Sequence, residues 1–198
     1  MNIAVYCGSN PGADPAFLEA AGTLGTWIGE SGNALVYGGS SIGLMGAVSS
    51  AVMAAGGEAY GVEPGFFIEA GVAQHNLTEL IVVDTMEQRK AKMIELADVF
   101  VALPGGVGTL EEISEIMSRQ RLRLCLGPCY FLNLDGYYDG LAQLLDTMVQ
   151  CHFLDPADRK EFVFCPSVED LIAHLATHKL CDCDNLQPVV PESNILCG

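Results

Sequence analysis

Three glycine-rich turns are the clearest chemical feature of this chain. Each directly follows a short apolar run, the pattern of a buried strand that ends in a turn. Glycine lets the backbone come close to a phosphate, whose charge is met by free N–H groups and by the positive end of the following helix. The turns therefore indicate a phosphate-binding site. They read Gly8-Ser9-Asn10-Pro11-Gly12, Gly38-Gly39-Ser40-Ser41-Ile42-Gly43 and Pro104-Gly105-Gly106-Val107-Gly108-Thr109.

The residue sequences of these turns exclude two common classes of phosphate ligand site. The first turn does not read Gly-x-Gly-x-x-Gly, and no acidic residue ends the second predicted strand to hold a ribose, so an NAD fingerprint is missing. No lysine follows a glycine turn as the Walker lysine does in a P-loop NTPase. A mononucleotide is therefore the predicted ligand.

The charge balance argues against a polyanionic partner. The 25 acidic and 9 basic residues give a formal net charge of -16, which disfavours nucleic acid polymers and anionic membranes. Most of the positive charges fall in one stretch, an arrangement suited to a small anion, although each one can also be a solvated charge on a helix face. The charges of that stretch are Arg89, Lys90, Lys92, Arg119, Arg121 and Arg123.

The elements that must position these residues alternate between strand and helix patterns. We predict strands at 3–7, 34–37, 58–62, 80–83, 99–103 and 130–134, with a weaker one at 162–164. Predicted helices lie at 15–30, 44–55, 86–96, 110–121, 137–150 and 168–178. This order predicts a Rossmann-like, doubly wound α/β fold: a mostly parallel sheet of six to seven strands with helices on both faces. The three turns should then open at one edge of the sheet, beyond the carboxyl ends of the strands.

The remaining signals concern organisation and compartment. We predict one nucleotide-binding domain over 1–180 and a C-terminal tail over 181–198, where periodicity is lost. The eight cysteines are scattered and no signal peptide or 18-residue apolar run is visible, which predicts reduced thiols in a cytoplasmic protein without a membrane span. His174 and His178, followed by Cys181 and Cys183, have the ligand types of a zinc site, but surface or packing roles are more common for such a pair, so no metal is predicted.

Two further motifs carry a resemblance to a known family. Residues 104–112 read Pro-Gly-Gly-x-Gly-Thr-x-x-Glu, and residues 86–90 read Met-Glu-Gln-Arg-Lys. This pair resembles the signature of the Lonely Guy family, cytokinin riboside 5′-monophosphate phosphoribohydrolases often mislabelled as lysine decarboxylases. The likeness extends over about three-quarters of the chain, from the turn at Gly8 to Tyr138, and departs from the family at 38–41 and 118–123.

The resemblance implies a function and a set of roles. It implies a Rossmann-like homodimer, or an assembly of dimers, that hydrolyses the N-glycosidic bond of a nucleoside monophosphate without a cofactor. Glu112 would orient or deprotonate water and stabilise charge at C1′, and Arg89 would hold the nucleotide and assist the leaving base. The substrate and its phosphate would be bound by Gly105, Gly106, Gly108, Thr109, Gly8, Ser9, Gly38, Gly39 and Lys90.

Each role has a simpler alternative. Thr109-x-x-Glu112 also reads as a capping box, with threonine as the N-cap and glutamate at the third helical position. Arg89 can be an exposed helix charge behind a Thr85–Gln88 cap. The methionines of the helical periods are expected in the core rather than at the ligand. They are Met53, Met86, Met93 and Met117.

Two other functions remain as alternatives. A decarboxylase would need a lysine that forms a Schiff base with pyridoxal phosphate, and neither Lys90 nor Lys92 stands in a recognisable cofactor setting. A non-catalytic nucleotide-binding or carrier module would keep the fold without turnover.

Overall fold

The computed structural model describes residues 1–122 and 127–178. Its strands are β1 (Asn2–Tyr6), β2 (Ala34–Tyr37), β3 (Glu58–Pro64), β4 (Glu79–Val83), β5 (Val99–Ala102), β6 (Cys129–Leu132) and β7 (Phe162–Cys165). They form one seven-stranded sheet in the order β4-β3-β2-β1-β5-β6-β7, and each of the six neighbouring pairs is parallel. The predicted fold class is confirmed, and the weaker strand signal at 162–164 is a strand that closes the sheet.

Helices cover both faces because the central strands are apolar on both sides. The helices are α1 (Pro15–Glu30), α2 (Gly43–Ala54), α3 (Gly65–Glu69), α4 (Met86–Leu96), α5 (Val107–Arg121), α6 (Asp139–Gln150), α7 (Pro156–Lys160) and α8 (Val168–Thr177). Ile3 and Val5 of β1 pack into a core with α1, α2 and α8, whereas Ala4 and Tyr6 pack on the opposite face with α4, α5 and α6. Burial on both faces explains why these strands read as continuous apolar runs.

Most predicted boundaries agree with the structure to within two residues. The main difference is α5, which begins at Val107 rather than at 110, with Gly106 as its N-cap. Three short elements were not predicted: α3, α7 and a 3-10 turn at Leu134–Gly136. Because each has five residues or fewer, none shows a helical period, although Asp155 as N-cap and Pro156 at the first position are the sequence signals of α7.

The predicted tail and part of the His/Cys set at the C-terminal end lie outside the described residues. The tail at 181–198 lies outside them, and so do Cys181 and Cys183. His174 packs its ring against Tyr130, with 5.7 Å between the ring centroids. Over 1–122 and 127–178, no helix combines the length and apolar character that a membrane crossing needs.

Candidate active site

A cavity of about 800 Å³ opens beyond the carboxyl ends of β1, β2, β3 and β5. This is the edge at which doubly wound folds bind ligands. The three glycine-rich turns meet there, as predicted: the Gly8 N–H donates to Pro104 O at 3.1 Å, and the Leu44 N–H donates to Gly8 O at 3.0 Å. The turns that follow β1, β2 and β5 therefore form one wall.

The start of α5 lies on this wall and is open to a ligand. Gly106 is the N-cap and provides no side-chain hydrogen bond to the first turn, whose N–H groups have no partners within a helix. A Cβ at Gly106 or Gly108 would meet no protein atom within 4 Å. The N–H groups of Val107, Gly108 and Thr109 and the positive end of the helix are thus arranged to accept an anion.

The capping-box interpretation of Glu112 is wrong. Because α5 begins at Val107, Thr109 is the third helical residue rather than the N-cap, and Glu112 lies a full turn inside the helix. Thr109 is buried, and its side chain fills the space beside Gly105 that a Cβ on that glycine would need. The Thr-x-x-Glu pattern therefore serves packing and the cavity, not a cap.

Glu112 and Arg89 form a buried ion pair at the cavity. Arg89 Nη1 lies 3.5 Å from Glu112 Oε1, and their side chains are only 9% and 11% exposed. Burial raises the pKa of the Glu112 carboxyl, and the Arg89 guanidinium holds back part of that rise. The pair brings a carboxylate and a fixed cation into one enclosed space, one helical turn from the open start of α5.

Arg89 is held in place from three elements. Besides Glu112 on α5, its Nε donates to Val62 O on β3 at 3.1 Å and its Nη2 donates to Gly38 O after β2 at 3.0 Å. These contacts use three of its five N–H groups. Thr85 does cap α4, since the Gln88 N–H donates to its hydroxyl at 3.2 Å, but Arg89 is buried rather than an exposed helix charge.

The other predicted binding residues divide into two groups. Gly8, Ser9 and Gly38 line the cavity, and Gly38 is also required by Arg89, whose guanidinium occupies the place of any Cβ there. Gly39 and Lys90 are not among the lining residues. The Lys90 ammonium forms ion pairs with Glu111 and Glu115 on α5. Lys90 therefore balances the negative charge of these two carboxylates and does not face the cavity.

The methionines also divide. Met53 packs against the core and Met117 is buried in it, as expected, whereas Met86 and Met93 line the cavity. Met93, which is 1% exposed, therefore belongs both to the core and to the cavity lining.

Sequence reasoning missed two residues of the site. Glu63, at the end of β3, is buried at the cavity, and burial raises the pKa of its carboxyl to about 7. Tyr137 lines the cavity and donates its hydroxyl proton to Gly105 O at 2.5 Å, which steadies the third glycine turn. An acidic residue at the carboxyl end of a predicted strand was the available signal for Glu63, because such positions face the crevice.

Comparison of the sequence with known proteins shows the family of this chain. Residues 45–175 match the family model described as possible lysine decarboxylase. The chain is 43% identical over 173 residues to a probable cytokinin riboside 5′-monophosphate phosphoribohydrolase of Oryza sativa subsp. japonica, which covers 87% of this chain and 70% of the relative. It is 41% identical to a cytokinin riboside 5′-monophosphate phosphoribohydrolase of Rhodococcoides fascians over 87% of both chains. The chain belongs to the Lonely Guy family.

A solved structure of lower sequence identity has the same fold. The molybdenum cofactor binding protein of Rippkaea orientalis superposes with a TM-score of 0.68 at 23% identity, over 88% of this chain and 94% of that one. At this identity the likeness concerns the fold alone. The family model spans residues 45–175, a range that contains Glu63, Arg89 and Glu112.

Proposed function

We propose that this chain hydrolyses the N-glycosidic bond of a nucleoside 5′-monophosphate and releases the free base and ribose 5-phosphate. The observation that carries the proposal is the buried Arg89–Glu112 pair, one helical turn from the uncapped start of α5. Relatives about 40% identical over most of the chain are named cytokinin riboside 5′-monophosphate phosphoribohydrolases. The site and the relatives therefore support the same reaction class.

The start of α5 would bind the 5′-phosphate. The N–H groups of Val107, Gly108 and Thr109 and the helix dipole offer charge-assisted hydrogen bonds. Arg89 is the only cationic side chain among the described residues of the cavity lining. A local anion site of this kind accommodates a small phosphate in spite of the net charge of -16.

Glu112 and Arg89 would then act on the ribose. Cleavage of the bond between C1′ and the base passes through an oxocarbenium-like sugar, which a nearby carboxylate stabilises. Glu112 would also accept a proton from the water that attacks C1′, while Arg89 would use its two remaining N–H groups to hold the nucleotide.

The structure bears on the two alternative functions. No lysine is found among the lining residues that the structure describes, and the two lysines near the site pair with acidic residues: Lys90 with Glu111 and Glu115, and Lys92 with Glu95. This arrangement does not favour a Schiff base with pyridoxal phosphate. A carrier would bind a nucleotide at the same edge of the fold, but it would have no use for a carboxylate paired with Arg89 beside the ribose.

The remaining wall of the cavity bears on base preference. It is lined by apolar side chains that include Ile42, Phe67, Val72 and Met86. Such a wall suits adenine and also an apolar substituent on its N6 amine. A product assay with AMP, GMP, CMP and isopentenyladenosine monophosphate, each beside its unphosphorylated nucleoside, tests both the base preference and the need for the phosphate. We expect release of adenine or its prenylated form from the monophosphates and little release from the nucleosides.

Arg89→Lys should lower kcat/KM for AMP by about 10² or more, because one ammonium cannot replace a planar group bonded in three directions. Steady-state assays of base release check this. Arg119→Lys is the matched control, since Arg119 is an α5 surface residue paired with Glu115 and is not among the described residues of the cavity lining. An Arg89→Lys enzyme with the wild-type kcat/KM would remove Arg89 from the proposal.

We also propose a homodimer, or an assembly of dimers, with the site near the interface. Val107 and Leu110 expose 87% and 44% of their surface at the start of α5, beside the cavity. Exposed apolar side chains that lie close together mark protein–protein interfaces or ligand grooves, and two-fold dimers are the commonest oligomers. We expect sedimentation at twice 21.0 kDa or more at micromolar concentration. An active enzyme that is strictly monomeric under those conditions would contradict the dimer.

The cytoplasm is the compartment that we propose. Of the cysteines that the structure describes, Cys7, Cys129, Cys151 and Cys165 are not in disulfides. Reduced thiols are typical of that compartment. Nucleic acid polymers and membranes are not proposed as partners.

A further inference from the structure

Glu63 is a buried acid at the cavity to which the reaction above assigns no role. It is 2% exposed and belongs to the cavity lining. Its Oε2 atom is enclosed and has no hydrogen-bond partner among the residues that the structure describes. An unpaired buried carboxylate is costly, by several kcal/mol or more. The group must therefore stay neutral or meet a ligand.

The backbone around Glu63 is shaped to hold this acid. In the parallel register Gly61 of β3 pairs with Tyr37 of β2, which brings Glu63 beside Gly39. Gly39 has a φ of 82°, and a Cβ at that position would collide with Glu63 Oε2. Gly39 thus leaves room for the glutamate, which explains this glycine without a role in phosphate binding.

Glu63 and Glu112 have different surroundings on either side of Arg89. Arg89 Nε is bonded to the carbonyl of Val62, the residue before Glu63, and Nη1 is bonded to Glu112. Glu112 is in an ion pair, whereas Glu63 forms none among the described residues. Burial raises the pKa of Glu63 to about 7, with Arg89 opposing the rise only in part. Two carboxyl groups in such different settings are typical of an acid and a base that act together.

We propose that Glu63 donates a proton to the departing base, an inference that rests on the hydrolysis proposed above. With the phosphate at the start of α5 and the ribose at Glu112, the base faces the rest of the cavity. Glu63 lies there beside Arg89, together with apolar residues such as Phe67 and Met86. A neutral carboxyl group in an apolar pocket is suited to donate a proton to a ring nitrogen of the base.

The step balances without a further reagent. The C1′–N bond breaks and its electron pair goes to the base, which takes the proton of the Glu63 carboxyl at a ring nitrogen. The oxygen of water bonds to C1′, and Glu112 accepts the proton that this water loses. Exchange with solvent returns the proton to Glu63 and removes the one on Glu112.

Burial is the main cause of the raised pKa of Glu63, and three charged or titratable groups surround this carboxyl group. They are Arg89 from α4, the Tyr37 hydroxyl from β2 and, bonded to the same guanidinium, Glu112 from α5. A proton donor must be protonated, so the rate should fall as pH rises through the pKa of Glu63, at about 7 in the free enzyme. Bound substrate adds negative charge and moves that limb to higher pH.

Glu63→Gln is the test, with AMP as substrate and kcat and KM measured from pH 5 to 9. We expect kcat to fall by about 10² with little change in KM, and the alkaline limb of the kcat profile to disappear. Glu58→Gln, on the same strand but exposed and outside the described cavity lining, should behave as wild type. Glu63→Asp, which keeps an acid, should retain the alkaline limb, and it serves as the test if Glu63→Gln does not fold.

Several results would overturn the proposal. For Glu63→Gln they are an unchanged kcat, a rise in KM alone, or a lower kcat with the alkaline limb intact. For Glu63→Asp the contradicting result is loss of the alkaline limb. For the wild-type protein it is a kcat profile without an alkaline limb. Each of them leaves base release by the wild-type protein in place. Failure of the proposed function is distinct, because the wild-type protein would then release no base.

Discussion

Glu112→Gln should lower kcat for AMP by about 10² or more while the melting temperature changes little. The substitution keeps the size and hydrogen-bonding atoms of the side chain but removes the negative charge that the proposed mechanism needs at C1′ and at the attacking water. Arg89 keeps its bonds to Val62 O and Gly38 O, so its buried position should survive. Base release and thermal unfolding, measured on the same preparations, check both halves of the prediction.

Glu115→Gln provides the matched control for Glu112→Gln. Glu115 lies on the same helix, forms ion pairs with Lys90 and Arg119, and is not among the described residues that line the cavity. Partly exposed pairs of this kind contribute little to stability, so this variant should keep wild-type turnover. If Glu112→Gln turned over AMP as fast as Glu115→Gln, Glu112 would not be the catalytic carboxylate.

Gly106→Val and Gly108→Val should each lower the affinity for AMP by 10² or more. Neither glycine has a positive φ, and a Cβ at either position meets no protein atom within 4 Å, so the valine enters the space left for the ligand. It would block the N–H groups at the start of α5. Loss of two charge-assisted hydrogen bonds, at about 1.5–3 kcal/mol each, corresponds to roughly 10² to 10⁴ in the dissociation constant. Calorimetric titration with AMP measures this loss.

Gly140→Val is the control that matches Gly108→Val in structure. Gly108 is the second residue of α5 and Gly140 is the second residue of α6, and a Cβ at either one meets no protein atom within 4 Å. The two valines should therefore have similar effects on folding, whereas only the one at 108 should affect AMP. Wild-type AMP affinity in a folded Gly108→Val protein would show that the phosphate binds elsewhere.

The sheet and its ligand edge could be predicted from sequence because both depend on local patterns. Short apolar runs mark strands that are buried on both faces, and the glycine turns mark the ends of β1, β2 and β5. Parallel topology then brings those ends to one edge, where Gly8 is bonded to Pro104 as expected. The order of strands and helices along the chain is therefore sufficient to predict the edge of the sheet at which the glycine turns meet.

The predicted start of α5 was wrong because a local capping pattern in the sequence competed with tertiary packing. Thr109 and Glu112 have the spacing of a capping box, but the bond between Gly8 and Pro104 and the packing of Thr109 beside Gly105 allow the helix to begin at Val107. Burial of Thr109 is a property of the assembled fold and is not visible in a four-residue pattern.

Glu63 and the setting of Arg89 depend on contacts between distant segments. The predicted strand ends at Val62, one residue short of Glu63, and the apolar pattern gives no sign that an acidic residue continues it. Arg89 reaches Gly38, Val62 and Glu112, which are 51, 27 and 23 residues away in sequence. Burial of Glu63, which raises its pKa, follows from this assembly and could not be derived from residue spacing.

The proposed hydrolysis can be measured by incubating AMP with the purified protein and quantifying free adenine and ribose 5-phosphate in the same mixture. We expect the two products in equal amounts, many per protein chain, with adenosine giving far less adenine than AMP. Isopentenyladenosine monophosphate is assayed in parallel so that a strong base preference does not hide the activity. Tight binding of these monophosphates without release of base from any of them would contradict the proposed hydrolysis and identify a nucleotide-binding protein that does not turn its ligand over.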